Sequence, residues 1–136
     1  MPFELKILLV EDDESLRQAI FQMLSLDYHL CPVATLAGAR AAIRTHTWDV
    51  VLLDLGLPDG NGLALFETLR QLPVRPVVIV LTGYDDLTHA KEALAEGADD
   101  YVVKTGQLLQ ELSLRIPLCA GRLKRVEVIP MESTSA

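Results

Sequence analysis

The 136-residue sequence has little cysteine, few aromatic residues and no long apolar run. Its two cysteines, Cys31 and Cys119, are too few for a disulfide framework, and their spacing fits no zinc-binding motif. No apolar stretch approaches the roughly 20 residues of a membrane span. The first residues carry only a short apolar run followed by acids, unlike a signal peptide. We therefore expect a cytoplasmic protein.

Positive charge is also scarce, because 12 lysines and arginines face 19 acids and leave a formal net charge of −7. Nucleic acids and anionic membranes bind basic surfaces, so this balance argues against either as a direct partner. An acidic balance is also common in soluble domains and by itself indicates no function. The length predicts one domain, and half of the residues are apolar, which is enough for an ordinary core.

Five short apolar runs alternate with segments of helical periodicity. The runs are Leu5–Val10, His29–Val33, Val50–Leu53, Val77–Leu81 and Tyr101–Val103. Most do not alternate with polar residues, which is typical of parallel strands buried on both faces. Asp13 and Thr35 are predicted helix N-caps, and Gly97 is a predicted helix stop. The pattern predicts an α/β fold of (βα)5 type, a parallel sheet with helices on both faces.

A fifth helical segment is predicted to begin near Gln107, and it contains Pro117. Because a proline cannot donate a hydrogen bond to the carbonyl of Ser113, we expect it to kink or end this helix. We expect residues 1–122 to form the domain and residues 123–136 to form a C-terminal tail or the start of a linker.

Polar side chains directly follow four of the five predicted strands. Glu11 and Asp12 follow the first strand, Asp54 the third, Thr82 the fourth and Lys104 the fifth. The carboxyl ends of parallel strands meet at one edge of the sheet, where ligands of open α/β folds bind. Three carboxylates without Cys or His favour a hard cation such as Mg²⁺ over zinc.

A divalent cation, a lysine and a hydroxyl around one carboxylate are the groups that phosphoryl transfer to an aspartate requires. Asp54 is the best-placed acceptor, because it ends the central predicted strand. Each residue alone has an ordinary explanation as a helix cap, a turn residue or a solvated lysine. Their joint occurrence at four strand ends favours the chemical interpretation.

Four segments, ILLVEDDESLR, VVLLDLGLPDGNG, VVIVLTG and GADDYVVK, resemble in order and spacing the receiver domain of two-component response regulators. The resemblance covers roughly residues 5–120. It implies a doubly wound, flavodoxin-like sheet of five parallel strands in the order 2-1-3-4-5. It also implies a receiver domain over residues 1–122 that is no enzyme and catalyses only its own phosphorylation and dephosphorylation.

The resemblance implies a Mg²⁺ site and a phosphoacceptor. Asp12 would bind the metal directly and Glu11 mainly through water. Asp54 would be both a metal ligand and the residue that takes the phosphoryl group. The backbone carbonyl of Gly56 would be a further metal ligand.

The resemblance also implies how the signal leaves the site. Lys104 would bind the phosphate, Thr82 would move toward the new phosphate oxygens, and Tyr101 would turn inward into the space that Thr82 leaves. The surface formed by the fourth helix, fifth strand and fifth helix would then change its partners, as a shift between two packings.

The implied phosphoryl donor is a histidine kinase or a histidine phosphotransfer domain. The implied target is a downstream protein or a covalently linked output domain, and a homodimer that forms on phosphorylation is left open. No direct nucleic-acid or membrane partner is expected, since no helix-turn-helix pattern follows residue 125.

One position departs from the common receiver pattern near the site, and two others influence the phosphate lifetime in this family. Thr105 stands where a proline usually follows the lysine, which leaves the local peptide geometry open. Gly56 offers no side chain to orient a hydrolytic water, and Tyr84 would shield the phosphate. Together, Gly56 and Tyr84 predict moderate to slow self-dephosphorylation.

Two alternative functions remain at this point. One is a degenerate receiver that acts as an interaction module independently of phosphorylation, although all the key residues are present. The other is an aspartate-nucleophile phosphohydrolase of the haloacid dehalogenase type. In those enzymes the nucleophile follows the first strand and a second Asp lies two residues later, whereas Asp54 follows the third run and position 56 is Gly56.

Overall fold

Five parallel strands form the central sheet of the computed structural model, which describes residues 5–135 and, for Tyr84 and residues 122–135, the backbone only. The strands are β1 (Lys6–Val10), β2 (His29–Val33), β3 (Val50–Asp54), β6 (Val77–Thr82) and β7 (Asp100–Val103). Their order is β2-β1-β3-β6-β7 and every neighbouring pair is parallel. Counted within this sheet the order is 2-1-3-4-5, so the predicted fold is confirmed.

Two further strands, β4 (Gly56–Leu57) and β5 (Gly60–Asn61), form an antiparallel hairpin directly after β3. The sequence patterns did not predict it. Such a two-residue ladder has no apolar alternation that a pattern could detect.

Five α-helices connect the sheet strands and cover both faces. They are α1 (Glu14–Leu24), α2 (Leu36–Thr45), α3 (Leu65–Arg70), α4 (Leu87–Glu96) and α5 (Leu108–Ser135). One core cluster joins the sheet to α1 and α5, and the second joins it to α2, α3 and α4. The sheet is therefore the middle of three layers, as expected for a doubly wound fold.

The predicted helix boundaries are confirmed at three positions. The Asp13 side chain accepts hydrogen bonds from the second and third N–H groups of α1, and Thr35 Oγ1 accepts one from Gly38 at the start of α2. Gly97 ends α4 with a φ of 121°, which is costly for residues with a Cβ.

The three central strands are buried along almost their whole length, whereas the edge strands β2 and β7 are partly exposed. The prediction of strands buried on both faces is thus correct for β1, β3 and β6. Cys31 is half-buried in β2 and packs against the second core cluster.

Pro117 was predicted to kink or end the last helix, and the helix does not end there, since α5 runs unbroken from Leu108 to Ser135. Residues on both sides of the proline, Ile116 and Cys119, are buried against the sheet, and this packing outweighs the lost hydrogen bond. The predicted boundary after residue 122 falls inside α5 and stays a prediction. Among the helices that the structure describes, none is both long and apolar enough to cross a membrane.

The central strand allows a direct test of the core. Leu52 is fully buried in β3 between Leu9 and Ile79 of the neighbouring strands. Leu52→Ala should lower the free energy of unfolding by about 2–5 kcal/mol, measured by urea denaturation. The same change at Leu26, which is 82% exposed, is the matched control and should cost about 0.5 kcal/mol or less. Equal losses at the two positions would contradict this packing.

Candidate functional site

The register of the sheet brings the first and third strand ends to the same level. Val10 pairs with Leu53 across β1 and β3. The next residues, Glu11 and Asp54, therefore lie side by side at the carboxyl edge. Both are buried, with 0% and 6% of their surfaces exposed. A carboxyl group at such depth must either be paired with positive charge or carry a proton.

The fourth and fifth strand ends reach the same edge. Asp54 pairs with Leu81, so Thr82 lies one residue beyond it. Thr82 pairs with Val103, and the N–H of Lys104 donates to the Thr82 carbonyl at 2.7 Å. The register of the parallel strands thus places Lys104 at the same edge as Glu11 and Asp54.

Lys104 bridges the two buried acids. Its Nζ lies 2.9 Å from Glu11 Oε1 and 3.0 Å from Asp54 Oδ2, while 24% of its side chain stays exposed. Burial opposes the charged lysine, but the hydrogen bonds and charges of Glu11 and Asp54 outweigh it and raise the pKa of Lys104. The ammonium group is therefore fixed at the phosphoacceptor candidate.

Glu11 remains undercompensated despite this ion pair. Burial raises the pKa of Glu11 to about 7, and the nearby Asp54 charge adds to the rise, although Lys104 and the Asp13 N–H act against it. Within the described part of the chain, Glu11 Oε1 has no well-oriented hydrogen bond and meets only the ammonium of Lys104. A fully buried carboxylate oxygen in this state favours an additional cation.

The acidic cluster of Glu11, Asp12 and Asp54 has the dimensions of a metal site. One oxygen from each carboxylate lies within 4.8 Å of the other two. Asp12 is exposed, so a cation can reach the cluster from solvent. All three offer hard oxygen ligands, and one ammonium cannot neutralise three carboxylates, so the residues fit Mg²⁺. The cluster could hold a divalent cation.

Backbone groups hold the two buried acids in position. The N–H of Gly56 donates to Asp54 Oδ1 at 3.1 Å, and the N–H of Asp13 donates to Glu11 Oε2 at 3.1 Å. Because Lys104 takes the other oxygen of Asp54, both oxygens of this carboxylate have partners, and its orientation is fixed.

Thr82 is buried beside the cluster, but its hydroxyl is engaged elsewhere. The hydroxyl contacts the carbonyls of Asp86 and Gly83 at 3.1 and 3.3 Å, both in the turn that leads into α4. A hydroxyl has a single proton to donate, so Thr82 donates its hydrogen bond to the turn and not to Asp54.

Tyr101 lies in the edge strand β7, half-buried against the core cluster beneath α4. The loop after β7 departs from the proline-containing pattern without a cis peptide bond in the described backbone. The N–H of Thr105 donates to the Val103 carbonyl at 2.8 Å, a bond that proline could not form. The side chain of Tyr84, predicted to shield the site, lies outside the described residues.

Two residues near the site were missed from the sequence. Arg17 in α1 donates to the backbone carbonyls of Glu11 and Asp12 at 3.0 and 3.3 Å. Its position one turn after the Asp13 cap was the available clue. Asp59, at the tip of the hairpin, accepts two backbone hydrogen bonds from α2, and no sequence periodicity indicates such a contact.

The raised pKa of Glu11 predicts a pH-dependent stability in the absence of metal. The folded carboxyl binds its proton up to about pH 7, whereas the unfolded carboxyl has its ordinary pKa of 4.5. This stabilisation is complete below the unfolded value and is lost as the pH rises through about 7. Urea denaturation across this range should therefore show a loss in the wild type that Glu11→Gln lacks.

The pKa of His89 is also raised, but His89 contributes equally to the pH profiles of the wild type and of Glu11→Gln. It therefore does not affect the difference between the two profiles. Parallel pH profiles for the wild type and Glu11→Gln would contradict the assignment to Glu11.

Comparison with known proteins agrees with this geometry. Residues 7–115 match the family described as response regulator receiver domain. The chain is 38% identical over 113 residues to the transcriptional regulatory protein PmrA of Pectobacterium parmentieri. It is 39% identical over 113 residues to the transcriptional regulatory protein BasR of Escherichia coli strain K12. Each match covers 82% of this chain and 50% of the relative, so the chain spans about half the length of these relatives.

A solved structure shares the fold over most of the chain. The receiver domain of the Francisella response regulator 1452 is 26% identical, with a TM-score of 0.77. The match covers 88% of this chain and 99% of that domain. The phosphohydrolase alternative receives no support from these relatives. With the family match over residues 7–115, they show that this chain belongs to the receiver domain family of two-component response regulators.

Proposed function

We propose that Asp54 accepts a phosphoryl group from a phosphohistidine and that the modified domain then changes its protein contacts. The observation that carries this proposal is the placement of Lys104 Nζ 3.0 Å from Asp54 Oδ2, beside an acidic cluster of metal-site dimensions. The donor is a histidine kinase or a histidine phosphotransfer domain. Mg²⁺ is the cofactor, held by Glu11, Asp12, Asp54 and the Gly56 carbonyl.

The transfer is an in-line displacement on phosphorus. An oxygen of Asp54 attacks, the P–N bond to the donor histidine breaks, and its electron pair returns to the histidine nitrogen. Lys104 stabilises the negative charge of the transferred group, and the Gly56 N–H holds the attacking carboxylate in one orientation. The cation, when bound, neutralises oxygens of the transferred group and lowers the repulsion between it and the acids.

The resting contacts of Thr82 suggest how the signal leaves the site. Its hydroxyl must leave the Asp86 carbonyl before it can donate to a phosphate oxygen. Loss of that bond releases the turn before α4. Tyr101 then turns further inward, into the space that Thr82 leaves. The surface of α4, β7 and α5 is then the part that changes, as a population shift driven by contacts made only with phosphate present.

The domain acts within a longer signalling system. We propose that residues 1–122 are the receiver and that residues 123–136 are a tail or connection to an output, which is either a linked domain or a separate protein. The match covers only 50% of each of these relatives, which supports a linked output. We further propose a cytoplasmic location, no direct nucleic-acid or membrane contact by this domain, and a homodimer that forms on phosphorylation.

A degenerate receiver is the remaining alternative, and the acidic cluster with its paired Lys104 argues against it. A chain that no longer takes phosphate has no need to keep two buried acids and a lysine, since a buried ion pair contributes little net stability.

Phosphorylation by an acyl phosphate tests the proposal. Intact-mass spectrometry should show the gain of one phosphoryl group by the wild type with Mg²⁺, and none after the metal is removed with EDTA. Asp54→Asn should not be labelled, because the attacking carboxylate is gone. Lys104→Ala should be labelled about 100-fold more slowly, because one charge that stabilises the transition state is lost.

Asp27→Asn is the matched control, since it removes an exposed acid at the opposite end of α1 and should be labelled like the wild type. Equal labelling of Asp54→Asn and Asp27→Asn would overturn the assignment of the acceptor. A wild type that takes no label and binds no beryllofluoride would favour the degenerate receiver.

Gly56 contributes to the prediction of moderate to slow self-dephosphorylation. Among the described side chains, a Cβ at this position would meet only Asp54 Oδ1, at 4.0 Å, so none of them is placed there to aim a water at the phosphate. After removal of the acyl phosphate, the label should decay over minutes or longer. A decay within seconds, measured by the same mass shift, would contradict this expectation.

A further inference from the structure

The hairpin that follows the phosphoacceptor candidate is attached to α2 by Asp59. The carboxylate accepts hydrogen bonds from two consecutive backbone groups, the N–H of Leu36 at 2.7 Å and the N–H of Ala37 at 2.9 Å. Twenty-three residues of sequence separate Asp59 from Leu36. The contact therefore joins the hairpin to the first turn of α2.

Asp59 completes the capping of α2, which Thr35 provides only in part. The first turn of α2 contains no acidic residue, and Thr35 provides only the bond to the Gly38 N–H. Unpaired N–H groups and the helix dipole make this end positive, so it attracts a carboxylate. The two bonds, from Leu36 first and Ala37 second, hold the pKa of Asp59 below its ordinary value.

The hairpin needs this attachment because it is too small to be stable alone. Its ladder consists of only two residue pairs, Gly56 with Asn61 and Leu57 with Gly60. Isolated hairpins are at best marginally stable in water, and this one is far shorter than most. Asp59 lies in the two-residue turn between the strands, so its bonds to α2 hold the tip of the hairpin.

The close approach of Gly60 to Leu36 is a second link between the hairpin and α2. A Cβ added at Gly60 would lie 3.1 Å from Leu36 Cδ2, and its φ of 151° is one that other residues rarely adopt. Leu57 is buried in the same core cluster as Leu36. The backbone of the hairpin thus lies directly against the first turn of α2.

The opposite end of the same hairpin reaches the candidate site. Gly56 pairs with Asn61 in the ladder, and its N–H donates to Asp54 Oδ1 at 3.1 Å. Any movement of the tip at Asp59 is transmitted through a ladder of two pairs to Gly56. The Gly56 carbonyl, the proposed metal ligand, is thus linked to Asp59 through this short ladder.

We propose that Asp59 is a positioning residue for the metal site: by bonding to the N–H groups of Leu36 and Ala37, it holds the hairpin so that Gly56 stays in place beside Asp54. This inference rests on the proposed function, since it concerns the same Mg²⁺ site. It adds a residue outside the ligand set, and it links the site to α2. Because coupling is reciprocal, bound metal should also stabilise the first turn of α2.

Calorimetric titration with Mg²⁺ alone tests the proposal, at about 0.15 M salt so that charge effects beyond about 8 Å are screened. Asp59→Ala should weaken Mg²⁺ binding about tenfold, as expected for loss of a group that supports a ligand. Asp59→Asn keeps one accepting oxygen and should lie between this variant and the wild type. If Asp59→Ala does not fold, Asp59→Asn carries the test.

Thr35→Ala is the matched control, because it removes a cap bond from the same helix without touching the hairpin. It should destabilise α2 and weaken Mg²⁺ binding clearly less than Asp59→Ala does, because the bonds of Asp59 to α2 remain. A loss of affinity equal to that of Asp59→Ala would overturn the proposal, because helix stability alone would then explain the effect. Unchanged affinity in folded Asp59→Ala would overturn it as well.

Amide hydrogen exchange supplies a second readout that does not depend on activity. Mg²⁺ should slow exchange at the Leu36 and Ala37 amides in the wild type and leave them unchanged in Asp59→Ala. Exchange that slows equally in both proteins would contradict the coupling. A wild type that binds no Mg²⁺ would overturn the proposed function itself, which separates that failure from the failure of Asp59 as its support.

Discussion

The ion pairs of Lys104 with Glu11 and Asp54 are the interaction on which the site depends. The two acids end adjacent central strands and are buried, so without a cation beside them both could not stay ionised. Burial raises the pKa of Glu11 to about 7, and the charge of Asp54 adds to the rise, although the ammonium of Lys104 acts against it. A metal ion at this edge would add the positive charge that one ammonium lacks for three carboxylates, and we propose that the same lysine binds the phosphoryl group.

Hydrogen bonds and ion pairs fix Asp54 and the hairpin in position, whereas the Thr82 hydroxyl can change its partner. The Gly56 N–H and the Lys104 ammonium fix the two oxygens of Asp54, and Asp59 ties the hairpin to α2. Thr82, by contrast, is bonded to the turn before α4 and not to the acids. A rigid acceptor beside a hydroxyl with an alternative partner is the arrangement expected of a two-state switch.

The sheet and most of the site could be predicted because each follows from a local pattern. Short apolar runs gave the strands, and the rule that parallel strands end together placed Glu11, Asp54 and Lys104 at one edge. The hairpin, the Asp59 contact and the hydroxyl direction of Thr82 could not be predicted. They depend on contacts between distant segments or on one rotamer. The prediction that α5 could end at Pro117 was wrong for a related reason. The burial of the neighbouring residues outweighs the local tendency of proline to end a helix.

Borohydride reduction of the phosphorylated protein tests the central claim most directly, because it converts an aspartyl phosphate to homoserine and marks the acceptor residue. Peptide mapping by mass spectrometry should then find homoserine at position 54 and at no other aspartate of the site. Homoserine at position 12 instead, or label without any homoserine, would contradict the account in which Asp54, held by Lys104, receives the phosphoryl group.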